Sequence, residues 1–242
     1  MSRRSRSHRL RVFNPTLHHG LVGYWKLSET AGSRLDSVGQ SPGTAVNTPG
    51  SASSVVDLGL DVTSSSSQYV SVASKSDFQA LDGRQELHIC CWCKIDDTGR
   101  QDLVTKWGGS TGASDWSLSK SGNPGGFDMY VAHSTSYTSA NAGFNPSTGT
   151  WYFVEGVIDN ANTAVKAAAS PRGGTLDTMV SADYSSGGTL NTKTTAVEFG
   201  SISDLSIYSD VTIDEIGIWR RLLGDRERLQ LFTREATYPF MI

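Results

Sequence analysis

Two acids stand side by side inside an apolar strand: Asp214 and Glu215 in "VTIDEIGIW" (211–219). A catalytic carboxylate pair, a cation site and a structural anchor are the three chemistries open to them. Glycoside hydrolysis needs two carboxyls facing each other at about 5–10 Å. On one strand that demands positions i and i+2, because neighbouring side chains point to opposite faces. Adjacent acids fail the demand, and "KIDDTG" (94–99) reads as a turn. The chain is therefore expected not to be an enzyme, with a glycoside hydrolase kept as the minor alternative.

The three cysteines, Cys90, Cys91 and Cys93, crowd into "HICCWCKI". Neighbouring positions on one strand are poorly placed for disulfides. Zinc would need further ligands nearby. They are expected to be buried thiols packing as small hydrophobes. His18-His19 marks the end of the N-terminal segment rather than a metal site. Aromatic side chains remain as ligand contacts. Trp107, Trp116, Tyr130 and Tyr137 fall on or near strand ends and loops, where rings stack on sugars or fill a partner's pocket. Trp25, Trp92, Trp151 and Trp219 sit in core-like positions.

The elements that must position these groups are strands. The 242 residues include 25 glycines, with abundant Ser and Thr and few charges, which fits many short strands joined by turns. Alternating apolar segments recur at 20–27, 68–73, 86–95, 102–107, 115–121, 127–132, 151–159, 163–170, 195–202 and 211–219. Residues 39–54, rich in Ser, Gly and Thr, read as a loop. One helix is expected near 225–232, starting at Asp225, with Leu229 and Phe232 on its apolar side.

Net charge is −3, unevenly spread. Residues 1–11 hold Arg3, Arg4, Arg6, Arg9 and Arg11 and no acid; the remainder has 16 basic side chains against 24 acidic ones. Residues 1–19 read as a basic arm, extended onto a neighbouring protein, with Val12, Phe13 and Leu17 as apolar anchors. Arginine suits such a contact because its planar fork pairs carboxylates bidentately. A nucleic-acid-binding or idle tail is the alternative. No apolar signal-peptide core follows the arginines, no stretch approaches the length of a membrane span, and no glycosylation sequon occurs once proline is excluded. Synthesis and assembly in a reducing cytoplasm are expected.

In order, four stretches carry a likeness: "GLVGYWKLSETAGSRLDSVGQSPGTAVN", "QYVSVASKSDFQALDGRQELHICCWCKID", "TWYFVEGVIDNANTAVKAAAS" and "TIDEIGIWRRLLGDRERLQLF". Together they resemble the laminin-G-like group of the concanavalin A-like lectin/glucanase superfamily, over about residues 20–232. The resemblance implies an all-β antiparallel sandwich of jelly-roll type with an extended N-terminal arm. It divides the chain into an arm (1–19), a jelly-roll domain (20–236) and a C-terminal tail (237–242). The glucanase relatives carry a Glu-x-Asp-x-x-Glu strand, which is missing here. Related sandwiches also join an Asp at the position of Asp214 to one in the opening loop, here Asp36, in a calcium site completed by oxygen ligands. The competing expectation is that Asp214 caps loop N–H groups and ties the last strand to the first loop.

Fold does not settle function. The first functional reading is a non-enzymatic virion protein of a phage, a capsid decoration, head-fibre or tail-associated component, with a lectin-like domain anchored by its arm. The second is a free carbohydrate-binding module, cytoplasmic or at a cell surface. The expected partners are other virion proteins through the arm, host surface glycans, and copies of itself in a larger assembly. Membrane contact is not expected, and nucleic acid is disfavoured.

Overall fold

In the computed structural model, residues 15–79, 86–122, 125–134 and 136–234 are described. Strands come first as β1 (Leu21–Trp25), β2 (Gly43–Val46), β3 (Gly50–Ser53), β4 (Leu58–Val62), β5 (Tyr69–Val72), β6 (Leu87–Ile95), β7 (Gln101–Lys106), β8 (Trp116–Lys120) and β9 (Phe127–His133). They continue as β10 (Ser136–Asn141), β11 (Trp151–Asp159), β12 (Ala164–Pro171), β13 (Val180–Asp183), β14 (Val197–Phe199), β15 (Ser201–Ile202), β16 (Ile207–Tyr208) and β17 (Val211–Trp219). The helix α1 (Asp225–Thr233) follows.

One sheet runs β13-β12-β11-β6-β17-β4-β3, with β1 also paired to β17; the other runs β10-β9-β8-β7-β14-β5-β2. All strand pairings within them are antiparallel. The fold is an antiparallel β-sandwich, as the sequence implied. We call the sheet containing β17 the first sheet and the sheet containing β8 the second.

Strand β6 shows why a continuous apolar run belongs at the centre. Leu87, Ile89, Cys91, Cys93 and Ile95 enter the core between the sheets. Cys90 and Trp92 point the other way, into a second apolar cluster with Phe153, Trp219, Leu231 and Phe232. Helix α1 caps that second cluster: Trp92 stacks on Phe232 with ring centroids 5.8 Å apart. A strand covered on both faces must be apolar at nearly every position. The three thiols are free and buried, and burial pushes each of them up from its ordinary pKa.

Three expectations are corrected here. Residues 39–54 are not one loop, because they supply β2 and β3, which form outer strands of the two sheets. Small residues are wanted at this edge; a Cβ on Gly43 would lie 2.4 Å from Val70 Cγ1. On α1, Arg228, Leu231 and Phe232 are buried while Leu229 is exposed, so of the two expected apolar contacts Phe232 is made and Leu229 is replaced by Leu231. Leu17, predicted to anchor a partner, is buried against the sandwich, and the Trp219 indole N–H donates to its carbonyl at 2.8 Å. Arg221 grips the same segment by donating to the carbonyls of Thr16 and His19, each at 2.6 Å. Residues 1–14, which hold Arg3, Arg4, Arg6, Arg9, Arg11 and Phe13, lie outside the described residues, as does the tail 237–242.

Candidate functional site

The acidic pair sits on a β-bulge. Asp214 pairs with Trp92 and Gly217 with Cys90, so β17 carries one residue more than β6 across this span. Glu215 takes the left-handed conformation, φ 51°, that lets the strand absorb it. Ile213 and Ile216 both enter the inter-sheet core, which leaves two residues facing outward between them. Asp214 and Glu215 therefore lie on the same side, not on opposite faces as strict alternation predicts.

Neither acid reaches solvent to any useful extent. Asp214 Oδ2 accepts from Ser54 Oγ and the Val56 N–H, both at 2.9 Å, and Glu215 accepts from the Tyr24 hydroxyl. Burial pushes Asp214 up to about 7. Burial also pushes Glu215 up to about 8, with Asp214 adding to the rise and the Tyr24 hydrogen bond opposing it. The pair ties β17 to β1 and to the loop between β3 and β4. Asp214 caps loop N–H groups, but the loop is 54–57, not the one that holds Asp36.

Asp36 organises the opening loop by itself. Its Oδ1 accepts from the N–H groups of Tyr24 and Val38 at 3.0 Å, and its Oδ2 from those of Gln40 and Ser41 at 3.2 and 3.0 Å. Four N–H donors occupy the directions a cation would need. Among the described residues no group of three or more His, Cys, Asp or Glu side chains is gathered. The donor set fits a loop anchor and does not fit a calcium shell.

A second buried cluster was not foreseen. Glu155, fully buried on β11, accepts from Arg228 Nε at 3.0 Å and Nη2 at 2.9 Å. His88 Nδ1 accepts from the Leu223 N–H at 3.2 Å, which leaves Nε2–H to donate to Glu155 at 3.2 Å. Burial would raise Glu155, yet the hydrogen bonds from His88 and Arg228 outweigh it and hold the carboxyl below its ordinary value. Arg228 also donates to Asp225 and to the Asp177 carbonyl. The cluster clamps α1 to the first sheet, and its hydrogen-bonding capacity is spent internally.

The predicted aromatic contacts behave differently. Trp107 just past the end of β7, Tyr130 in the middle of β9 and Tyr137 near the start of β10 converge edge to face with centroids 5.6–6.2 Å apart. They line an open hollow of about 280 Å³ on the outer face of the second sheet. Tyr137 is 53 % exposed. Arg100, Ser110, Thr111, Ser117 and Leu205 complete the lining. Trp116 does not belong there: it is fully buried in the inter-sheet core, and its indole N–H donates to the Phe78 carbonyl at 2.7 Å. Strand parity explains the split, since Trp116 and Leu118 face inward while Ser117 and Ser119 face out.

Arg100 and Asp102 escaped the sequence reading. Arg100 Nε donates to both Asp102 oxygens at 3.1–3.2 Å and Nη2 donates to Oδ1 at 3.0 Å. Ser119 Oγ donates to the same carboxylate at 2.7 Å. Burial raises Asp102 above its ordinary pKa, with Arg100 pulling the other way. The available signal was the Arg-x-Asp spacing at the start of β7, opposite the alternating serines of "DWSLSKS" (115–121).

No known family model matches the chain, and neither does any curated protein. Solved structures do match. The binding domain of Paraclostridial Mosquitocidal Protein 1 superposes with a TM-score of 0.67 at 12 % identity, over 89 % of this chain and 52 % of that one. The botulinum neurotoxin type C structure, whose cell entry depends on interaction with two ganglioside molecules, gives 0.61 at 12 %, over 90 % and 52 %. Domain 4 of AbnA, an extracellular GH43 arabinanase of Geobacillus stearothermophilus, in complex with arabinotriose, gives 0.59 at 16 %, over 88 % and 98 %. The chain thus spans about half of each of these toxin structures and nearly all of the arabinanase domain. It shares the sandwich fold of these binding domains, and identities this low speak to fold alone.

Proposed function

We propose that the chain is a non-catalytic binding module that takes a glycan in the Trp107–Tyr130–Tyr137 hollow. The observation that carries this reading is the hollow itself. Three aromatic side chains that make no hydrogen bond among the described residues converge at an open concavity, beside an arginine with unused donors. Sugar rings have apolar C–H faces that pack on aromatic surfaces and hydroxyl edges that need donors and acceptors. No carboxylate side chain lines it: Asp102 and Asp128 are buried behind the wall, and Asp214 and Glu215 are closed off on the other sheet. The test is a glycan array followed by calorimetry on the hits. Tyr137→Ala and Trp107→Ala should each weaken binding by about tenfold or more. Unchanged affinity in both variants would remove the site.

The finer reading places this module on a virion through its basic N-terminal arm, together with other assembly proteins. It rests on five arginines within eleven residues. Because Leu17 is part of the second apolar cluster, a truncation starting at Gly20 would damage the fold. A chain starting at Pro15 is the fair test, and it should fold normally while losing incorporation into particles. Normal incorporation would refute the anchoring role.

A further inference from the structure

We infer that the hollow selects an uncharged sugar and rejects acidic ones; this rests on the glycan-binding reading above. The proton positions in its polar wall decide the matter. Ser119 has a single hydroxyl proton, and it goes to Asp102 Oδ1. The close contact between Ser117 Oγ and Ser119 Oγ must then use the Ser117 proton. Ser117, one of the lining residues, is left with an Oγ that is an acceptor only. A sugar hydroxyl can donate to it, whereas an ionised carboxylate cannot.

Charge points the same way. Arg100 lines the hollow, but Asp102 beneath it balances that cation in a contact of 3.0 Å. The unused Nη1 group can still donate to a neutral hydroxyl. Asp128 is buried beside these groups on β9, with Oδ1 taking the Asn141 amide at 2.9 Å and Oδ2 without a hydrogen-bond partner. Its charge reaches the lining: Tyr130 is pushed up to about 12 by burial first and by Asp128 next, with Arg100 opposing. Glu198, across β7 opposite Thr105, is a further anion, held by Ser201 and Ser203. Lys120 feels Asp128 too, but its ammonium is committed to the carbonyls of Thr98 and Ser121. A ligand carboxylate would meet one compensated cation and a surplus of acids, and like charges at close quarters are strongly disfavoured.

The experiment compares matched probes on the full chain: neutral hexose and pentose oligosaccharides against their uronic-acid counterparts. The neutral member of a pair should bind, and the acidic member should bind at least about tenfold more weakly. Asp128→Asn should narrow that gap. Equal or tighter binding of the acidic member, abolished by Tyr137→Ala, would overturn the selectivity and leave the site standing. Binding of neither member across the set would remove the glycan site and this inference with it.

Discussion

The outer faces of the two sheets put buried charge to opposite uses. On the first sheet, Glu155 is enclosed by His88 and Arg228, and every bond it makes is internal. Helix α1 packs on that face through the stacking of Phe232 on Trp92 and Phe153. On the second sheet, Asp102 is just as buried, but its partner Arg100 stands in the open with donors to spare. Three aromatic rings flank it, and the turn carrying Ser110 and Thr111 completes the open hollow. A satisfied network rigidifies, whereas a network with one unspent side can recognise something. On the proposed reading, leftover bonding capacity at a concave surface, rather than burial of charge, distinguishes the candidate site.

The sharpest way to break the contrast is to open the clamp. Arg228→Ala leaves Glu155 buried with His88 as its remaining side-chain partner, which should cost about 3–5 kcal/mol in denaturant unfolding, with glycan affinity unaltered in the fraction that stays folded. Replacing both partners by apolar residues, Arg228→Met with Glu155→Leu, should recover most of that loss. A small effect of Arg228→Ala would mean that the cluster is not the clamp described.

The acidic pair should have the next largest effect, and its sign is opposite to that of the clamp. Asp214 and Glu215 titrate near 7 and 8 in the folded chain, well above the unfolded range near 4. Their stability is fully present below about pH 4 and is lost as pH rises through 7 and 8. Glu155, Asp159 and Glu227 are held low, Glu227 at about 2, so their contribution fades only in acid. Unfolding free energy should thus fall by on the order of 2–4 kcal/mol between pH 5 and pH 8. Asp214→Asn with Glu215→Gln should flatten the slope; an unflattened slope would assign it to other groups.

The open face should show the reverse pattern, with binding sensitive and stability not. Tyr137→Ala should change unfolding free energy by less than about 1 kcal/mol, since the ring is half exposed, while weakening glycan binding by about tenfold or more. A large stability loss would make the aromatic trio a packing feature. The smallest effect expected is from calcium. Binding to the folded state alone would raise the melting temperature, and the saturated Asp36 carboxylate argues for no change on chelation. A calcium-dependent shift lost in Asp36→Ala would restore the cation site.

Much of this molecule was legible in the chain alone. Alternation placed Leu87, Ile89, Cys91, Cys93 and Ile95 on one face, because side-chain direction along a strand is a local property of the backbone. Of the indoles at core-like positions, Trp25, Trp92 and Trp219 are buried and Trp151 is half-buried, whereas Trp116, expected at a ligand, lies in the core and its neighbour Ser117 faces outward. Tertiary structure decided the rest. The bulge at Glu215 reversed the geometry of the acidic pair, and a bulge arises from how β17 must fit between β6 and β1, not from its own residues. The hollow gathers Arg100, Ser117 and Tyr137 from a loop and two strands, and only sheet order makes them neighbours. The proton that Ser119 gives to Asp102, which leaves Ser117 an acceptor, depends on the pairing of β7 with β8, and no pattern within either strand encodes it.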